Sequence, residues 1–461
     1  MAFLNRNYTK QTLTLALPVM VTQLGQVSVQ LFDNIIVGKL LGANALASVS
    51  LGNALFISIF IFGLGISFAI PPLVSQAHSR GRHERINSVF RHGFVLNMVV
   101  GLALMILLFA FMPLLHHMDQ PVEIIPDTIT FLSVMAFSIL PFMAFQTLRE
   151  VSEGLGYTVG VTKATIIANV INIALNYVFI KGLFFFPEMG VKGSALATLI
   201  ARIFMMVFLY YVLLKHSTTK RYIKDFKIKL SELKTTMFQK MLKIGLPTAF
   251  QMFFEITAFA GAAFICGLVS AKDIASHQIA LSMASFTFNL CVGFSVASTI
   301  LVGRKFGERK FVELRAVGIN NLKLSFLFML LCGLFFVVGR DVLPTFFTKK
   351  EDVVVIQLAS KLMIIAALFQ LSDGVQVTAL GILRGIQDVK IPSYLTFFAY
   401  WILTIPLGYF LCVTLNMGAW GMWIALGFGL TVSAILLVYR FLKLSQNRIS
   451  HQSASLRSQV S

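Results

Sequence analysis

Charged side chains are scarce in this chain of 461 residues, and acidic ones are the scarcest. Lys, Arg, Asp and Glu together make up 12% of the sequence, with 19 acids against 38 bases, whereas a typical soluble domain is about 25% charged. Hydrophobic residues make up 57%, which is more than a soluble core could bury. Lipid must therefore be the solvent for much of the surface. The scarcity of charge excludes an ordinary soluble fold and predicts a membrane protein.

Cysteine and enzyme motifs are scarce as well. The four cysteines lie in or beside apolar segments without CxxC spacing, and we interpret them as small core residues. The sequence contains no P-loop, HExxH, GxSxG or metal-spaced Cys/His cluster, so we predict neither an enzyme nor a bound cofactor. Without a nucleotide site the chain cannot use ATP itself, which leaves an ion gradient as its energy source.

What the sequence does contain is a series of about twelve apolar segments, each near the ~20 residues that a membrane span needs. The connectors alternate between basic and acidic, and the positive-inside rule places the basic set in the cytoplasm. Because basic charge is spread over short connectors, we do not expect a nucleic-acid partner. The first apolar run continues past Pro18 towards Lys39, too long for a signal-peptide core. We predict an all-α, multi-pass protein of the plasma (bacterial inner) membrane with both termini cytoplasmic.

The chain also repeats itself. Leu17-Pro18 returns as Leu246-Pro247, and the small-residue pattern MGxxGxxxA occurs twice in the same register, at residues 189–197 and 417–425. Each half holds about six spans, an even number, so the halves enter the membrane in the same orientation as two parallel lobes. We predict an amino-terminal lobe over 1–214, a basic cytoplasmic linker over 215–243, a carboxy-terminal lobe over 244–443 and a disordered tail over 444–461.

Two acidic residues, Glu255 and Asp373, lie deep within predicted spans of the second half. At 1.5 Å of rise per residue, Glu255 lies about 18 Å from the basic residue Lys243, near the membrane midplane. Asp373 lies about 16 Å from Arg384. A carboxylate at this depth is costly and usually serves transport. The pair could bind a hard cation such as Na+ or exchange protons; the structural alternative is a salt bridge with a buried base.

Other polar and aromatic residues inside predicted spans are weaker candidates. Asp33 could act with the other acids or cap locally, and Asn172 and Asn176, four residues apart on one helix face, could bond Asp33 or hold helices together. Gln278 could line a cavity or bond a neighbouring helix. Phe259 and Phe288 could stack on flat cationic solutes or only pack. Arg202 also lies inside a span, and the sequence gives no account of it.

These features together resemble the multidrug and toxic compound extrusion (MATE) family, over essentially residues 10–440. The features are the twelve spans in two lobes, LP near the start of each lobe, the repeated MGxxGxxxA and the two acids at mid-span. The presence of an acid in both span seven and span ten resembles the pattern of the bacterial NorM-like branch of that family. The resemblance implies an antiporter that acts as a monomer, exporting cationic or amphipathic small molecules in exchange for Na+ or H+ by alternating access, with membrane lipid around it.

The resemblance also implies roles for individual residues. Glu255 and Asp373 would form the cation site, a tentative Na+ site, with Asp33 as a further ion-coupling acid and Asn172 and Asn176 in its polar cluster. Substrate would meet the residues Gln278, Phe259 and Phe288. The chain departs from the family pattern at Phe369 and Phe288, where NorM-like proteins often carry Tyr. Two alternatives stay open: a lipid-linked oligosaccharide flippase of the same superfamily, and a channel or receptor.

Overall fold

A computed structural model describes residues 4–117, 121–184, 186–224, 226–348 and 352–457, and helices account for nearly all of them. Seven helices and a short linker helix precede the second half of the chain. Their bounds are α1 (Arg6–Leu41), α2 (Ala43–Ser67), α3 (Ile70–Ser79), α4 (His83–Phe111), α5 (Ile125–Leu155), α6 (Val159–Lys181), α7 (Gly190–Lys215) and α8 (Ser217–Lys224). The second half follows with α9 (Thr235–Val269), α10 (Ala271–Gly307), α11 (Phe311–Gly339), α12 (Val353–Gly385), α13 (Lys390–Phe397), α14 (Ile405–Tyr409) and α15 (Gly418–Arg457).

Within these described ranges, twelve helical stretches are long and apolar enough to cross a membrane. The second span joins α2 to α3. The eleventh, Lys390–Thr414, contains α13 and α14, with one wider π-helical stretch between them and a second one after α14. Helix α8 is too short to span and belongs to the connector between the sixth and seventh spans. The all-α, twelve-span prediction is confirmed.

The turns between spans show the internal repeat in backbone geometry. Left-handed residues stand at matching places in the two halves: Gly81 and Arg309 after the second span of each half, Gly156 and Gln387 after the fourth, and Gly190 and Gly418 before the sixth. A left-handed backbone is easy for glycine and costly for other residues. The halves therefore share their turns even where the residue that makes the turn has changed.

The described chain divides into two compact units. The N-unit is Val21–Ala249, and the C-unit is Met1–Met20 together with Phe250–Ser461. The first turns of α1 therefore belong to the C-unit, and the first turns of α9 belong to the N-unit. The lobes predicted from sequence placed each of these helices wholly in its own half, because the apolar pattern of a span does not show which neighbours it packs against.

Helix α12 is the centre of the C-unit and packs against α10, α11 and α15. Close approach is possible because of glycine: a Cβ on Gly381 would lie 2.3 Å from the Ser295 carbonyl oxygen of α10. Small residues at helix contacts are the usual means of tight packing in membranes. This packing fixes α12, and with it Asp373, firmly within the unit.

The N-unit has its own core, in which α2, α4, α5 and α7 meet. Phe60, Phe131 and Met143 are among its buried side chains, each at most 4% exposed. Helix α5 carries a further set of buried polar residues, including the ion pair of Arg149 with Glu153, whose Nε and Oε1 atoms are 2.8 Å apart. The core positions α6 and α7, which carry the polar residues of this unit.

The carboxy-terminal tail differs from its prediction. Helix α15 continues without interruption through Arg457, whereas the sequence predicted disorder from residue 444; residues 458–461 lie outside the described part. The tail is polar, but helical geometry propagates at little cost from an existing helix. Arg448 also places its guanidinium over the Phe306 ring, at 4.7 Å, which holds the extension to the C-unit.

Candidate functional site

Glu255 is the first member of a polar cluster inside the C-unit. It extends from α9 towards Tyr400, which lies in the first π-helical stretch of the eleventh span. The Tyr400 hydroxyl donates to Gln376 Oε1 at 3.0 Å, and Glu255 Oε1 lies 3.4 Å from the same hydroxyl. The hydroxyl has one proton for these two acceptors, while Gln376 Nε2 is buried without a hydrogen-bond partner among the described residues.

Asp373 lies one turn before Gln376 on α12 and is 4% exposed. Its carboxylate forms no hydrogen bond or ion pair with any residue that the structure describes. It interacts electrostatically with Glu255, and both acids act on the Tyr400 hydroxyl. A buried carboxylate without a hydrogen-bond donor is strongly unfavourable. Arg384 acts electrostatically on Glu255, but it is one positive charge against two carboxylates, so the site keeps an excess of negative charge.

Aromatic side chains close one side of this acidic cluster. The Phe259 ring, one turn after Glu255, lies 5.9 Å from the Tyr400 ring and 6.2 Å from the Phe369 ring. Phe369 in turn contacts Trp423 edge to face at 5.5 Å. Phe369 thus packs in the aromatic wall, and Tyr400 supplies a hydroxyl to the acids.

Further oxygens beside the acids are available for a cation. Gln370 donates through Nε2 to Thr287 Oγ1, which leaves its buried Oε1 without a partner. Among the described residues no group of three or more His, Cys, Asp or Glu side chains is arranged to hold a metal ion. A cation at this cluster would therefore be held by two carboxylates and by hydroxyl and amide oxygens, the ligand type that hard ions prefer.

The N-unit holds a second acidic cluster of different character. Asn176 of α6 donates through Nδ2 to Asp33 Oδ1 of α1 at 2.6 Å. Arg202 of α7 interacts electrostatically with the same carboxylate. The guanidinium also donates from Nη1 to Ser138 Oγ at 2.6 Å. Asp33 thus has both a hydrogen-bond donor and a positive charge from the protein itself.

Arg202, which had no interpretation from its sequence context, is held in place by this environment. Its guanidinium carbon lies 4.9 Å from the Phe56 ring centroid and 5.0 Å from that of Phe142. Cation–π contact is strongest where water is excluded. The arginine therefore stabilises the N-unit at the depth where its charge would otherwise be most costly.

Asn172 and Asn176 share a face of α6 but contact different partners. Asn172 donates through Nδ2 to Thr198 Oγ1 of α7 at 3.2 Å, not to Asp33. The side-chain carbonyl oxygens of both asparagines are buried without a hydrogen-bond partner. Asn172 thus links two helices, while Asn176 is part of the acid cluster.

The remaining candidates, Gln278 and Phe288, lie on α10, and neither is among the residues that contact the acids of the two clusters. The Gln278 side chain is exposed on the C-unit surface, and Phe288 is partly buried. In the described part of the chain neither side chain forms a hydrogen bond or ring contact with Glu255 or Asp373. Their role in contacting substrate stays a prediction.

The sequence missed the two neutral members of the C-unit cluster, Tyr400 and Gln376. Gln376 lies three residues after Asp373, so helical spacing could have placed it beside the acid. Tyr400 carried no such signal, because a tyrosine in the apolar stretch FFAYWIL resembles any packing aromatic. The position of Tyr400 depends on the π-helical stretch, in which the helix is locally wider. Such stretches are often found at functional sites.

These elements define a helical multi-pass membrane protein with two repeated units and an acidic cluster inside each, a construction typical of membrane transporters. The MatE family model matches the chain twice, at residues 18–178 and 247–410. The chain belongs to the MATE family, in its bacterial NorM-like branch. The two matches fall on the two halves, which confirms the internal repeat.

Relatives and solved structures agree over nearly the whole chain. It is 33% identical to the multidrug resistance protein NorM of Photobacterium profundum over 441 residues, which cover 94% of this chain and 95% of that protein. It is also 33% identical to the multidrug resistance protein MdtK of Yersinia pseudotuberculosis, with 94% of each chain covered. An outward-facing MATE family transporter of the MOP superfamily has the same fold, with a TM-score of 0.87, 21% identity and 96% of both chains covered.

Proposed function

We propose that this protein is a multidrug efflux antiporter that exports cationic or amphipathic small molecules across the membrane in exchange for Na+. The observation that carries the proposal is the pair Glu255 and Asp373: two carboxylates inside one unit, neither of which forms an ion pair with a basic side chain of the described residues, although Arg384 acts electrostatically on Glu255. Relatives named as multidrug resistance proteins at 33% identity support the class of substrate.

The chemistry of the C-unit cluster supports a coupling cation that binds and leaves. Arg384 acts electrostatically on Glu255, but one positive charge does not neutralise two carboxylates, so a cation that reaches the site would still stabilise it. Two carboxylates with the hydroxyl of Tyr400 and the carbonyl oxygen of Gln376 offer oxygen ligands for Na+. Protonation of one acid would relieve the same repulsion, so H+ is the second candidate for the coupling ion.

Coupling requires only that cation and drug favour opposite conformations. A ligand shifts a conformational equilibrium by the difference in its affinity for the two states. If cation binding at Glu255 and Asp373 stabilises one state and drug binding stabilises the other, each promotes release of the other. Alternating access then exchanges one for the other across the membrane.

The flippase alternative would draw on buried positive charge to bind an anionic lipid-linked sugar. Arg202, the intramembrane arginine available for that purpose, is engaged by Ser138, by two aromatic rings and by Asp33. Its positive charge is therefore matched within the N-unit. This arrangement favours the antiporter over the flippase.

Efflux from proteoliposomes tests the proposal. Ethidium export would be followed by fluorescence under an imposed Na+ gradient and, separately, under an imposed pH gradient. We expect the Na+ gradient to drive export; export driven only by the pH gradient would identify H+ as the ion. No export of ethidium or norfloxacin under either gradient, by protein shown to be folded, would overturn the proposal.

A further inference from the structure

The connector between α7 and α9 packs against α4 of the N-unit. Tyr222 of α8 is 3% exposed, and its hydroxyl is hydrogen-bonded to His83 Nδ1 of α4 at 2.7 Å. The ring of Phe226 packs on Phe90, with centroids 4.3 Å apart, and on Phe94. These contacts place the basic connector alongside the beginning of α4.

The first turn of α9 is fixed to the same helix. The backbone N–H of Lys234 donates to His92 Nε2 at 2.8 Å, and His92 Nδ1 lies 2.7 Å from the Ser88 carbonyl oxygen. These two bonds together require the proton on Nδ1 of a neutral ring. Arg91 also forms an ion pair with Glu232. The start of α4, helix α8 and the start of α9 therefore form one packed structure.

A cavity of ≈ 840 Å³ lies among these three elements. Five cationic side chains line it, with one acid, Glu84: they are Arg82, Arg85, Arg221, Lys234 and Lys240. Within the described ranges, none of the five forms an ion pair. Arg85 and Lys240 repel each other electrostatically. So many unpaired cations around one cavity produce a strongly positive potential that an anion would relieve.

The matching edge of the C-unit shows that the fold does not require this charge. At the equivalent turn, Arg82 and Arg85 correspond to Lys310 and Glu313. There the charges are neutralised locally: Lys305 lies 2.7 Å from Glu313, and Lys310 lies 3.3 Å from Glu308. The repeat thus keeps the turn in both units but leaves the cations without acidic partners only in the N-unit.

We propose that the N-unit cavity is a binding site for a phosphate-bearing anion. Arginine and lysine around one pocket are the usual means of binding phosphate, and the hydroxyls of Ser88 and Thr236 on its wall add donors. The cavity is within the ~300–1,000 Å³ of ligand pockets in general. It is far larger than one phosphate ion needs, so it has room for a phosphodiester with its attached alcohol.

The site lies where a lipid headgroup would be. Glu84 and Arg85 are in the first turn of α4 and Lys240 is in the second turn of α9, and both helices span the membrane. Basic clusters at the ends of spans attract anionic lipids. The phosphate can therefore come from an anionic phospholipid or from a soluble phosphate ester, and the experiment must distinguish these sources.

Two binding assays on the purified full-length protein separate the sources. Native mass spectrometry measures retention of phosphatidylglycerol against phosphatidylcholine, and calorimetry measures binding of glycerophosphoglycerol and of inorganic phosphate. The test variant is Arg85→Gln/Arg221→Gln/Lys240→Gln. The control, Lys220→Gln/Lys224→Gln/Lys227→Gln, removes the same amount of charge from the adjoining connector, at residues that do not line the cavity. Monodispersity and thermal melting confirm folding, and single Arg221→Gln, at an exposed side chain, serves as a milder second variant.

We expect the test variant to lose binding by roughly 100-fold, at about fivefold for each of the three Lys or Arg residues removed near anionic lipid. The control should change little. Selective phosphatidylglycerol retention would assign the site to lipid, and binding of the soluble esters alone would assign it to a soluble phosphate compound; either supports the site. Equal loss in the control, or no binding of any of these probes by the wild type, would overturn it.

Discussion

The acidic clusters of the two units differ in how their charge is balanced. In the N-unit, Asp33 receives a hydrogen bond from Asn176 and the field of the Arg202 guanidinium. In the C-unit, Glu255 and Asp373 act on each other, and neither bonds to a basic residue of the described chain. In the N-unit one acid faces one guanidinium, whereas in the C-unit two acids share the field of one guanidinium, that of Arg384, which acts on Glu255. The C-unit cluster therefore has the greater excess of negative charge, which makes it the proposed site of the coupling ion.

The largest expected effect comes from neutralising the unbalanced cluster. Asp373→Asn should reduce Na+-driven ethidium efflux from proteoliposomes to background, because the site loses half its negative charge. The control is Asp341→Asn, which removes an exposed acid bonded to Ser360 in the same unit. Efflux at wild-type rate from Asp373→Asn would show that this acid does not couple transport.

The same substitution should also raise stability, in contrast to a change in the N-unit. Without Na+, Asp373→Asn removes repulsion from Glu255, so its melting temperature should exceed that of the wild type. Arg202→Gln instead leaves Asp33 without its positive partner, which should cost about 3 kcal/mol. Thermal melting of both variants in Na+-free detergent measures the contrast. If both fell by the same amount, the two clusters would not differ as described.

A double variant tests whether the two charged residues of the N-unit cluster interact. Asp33→Asn/Arg202→Gln removes both charges. Its loss of unfolding free energy should be smaller than the sum of the losses in the two single variants, by about 1 to 3 kcal/mol. The difference is measured by a double-mutant cycle of thermal unfolding. Strict additivity would mean that Asp33 and Arg202 do not interact.

A smaller effect is expected when the Tyr400 hydroxyl is removed from the C-unit cluster. Tyr400→Phe keeps the aromatic wall with Phe259 but removes one oxygen beside Glu255, so apparent Na+ affinity should fall by roughly tenfold. The Na+ dependence of efflux, with maximal rate unchanged, is the measurement. An unchanged Na+ dependence would remove Tyr400 from the ion site.

The smallest effect concerns a turn that the two units make with different residues. Arg309→Gly in the C-unit should stabilise by about 0.5 kcal/mol, because Arg309 has a left-handed φ of 59° that glycine adopts without strain. Gly81→Ala, at the matching N-unit turn, should destabilise by about 1 kcal/mol for the same reason. Melting temperatures that move in the same direction would contradict this account of the turns.

The spans, the repeat and the carboxylates could be predicted from the sequence because each follows from local composition. Twenty apolar residues predict a span wherever they occur, and Glu255 and Asp373 stood out as charges inside such stretches. What could not be predicted depends on contacts between distant segments. The pairing of Arg202 with Asp33, the position of Tyr400 and the exchange of the first turns of α1 and α9 between units all require knowing which helices are neighbours.

Cation release on drug binding tests the central claim most directly. Ethidium would be added to purified protein in weakly buffered Na+ solution while Na+ and pH electrodes record the ions released. The account predicts Na+ release from the wild type and none from Glu255→Gln/Asp373→Asn at the same drug occupancy. Equal release from the double variant would contradict it.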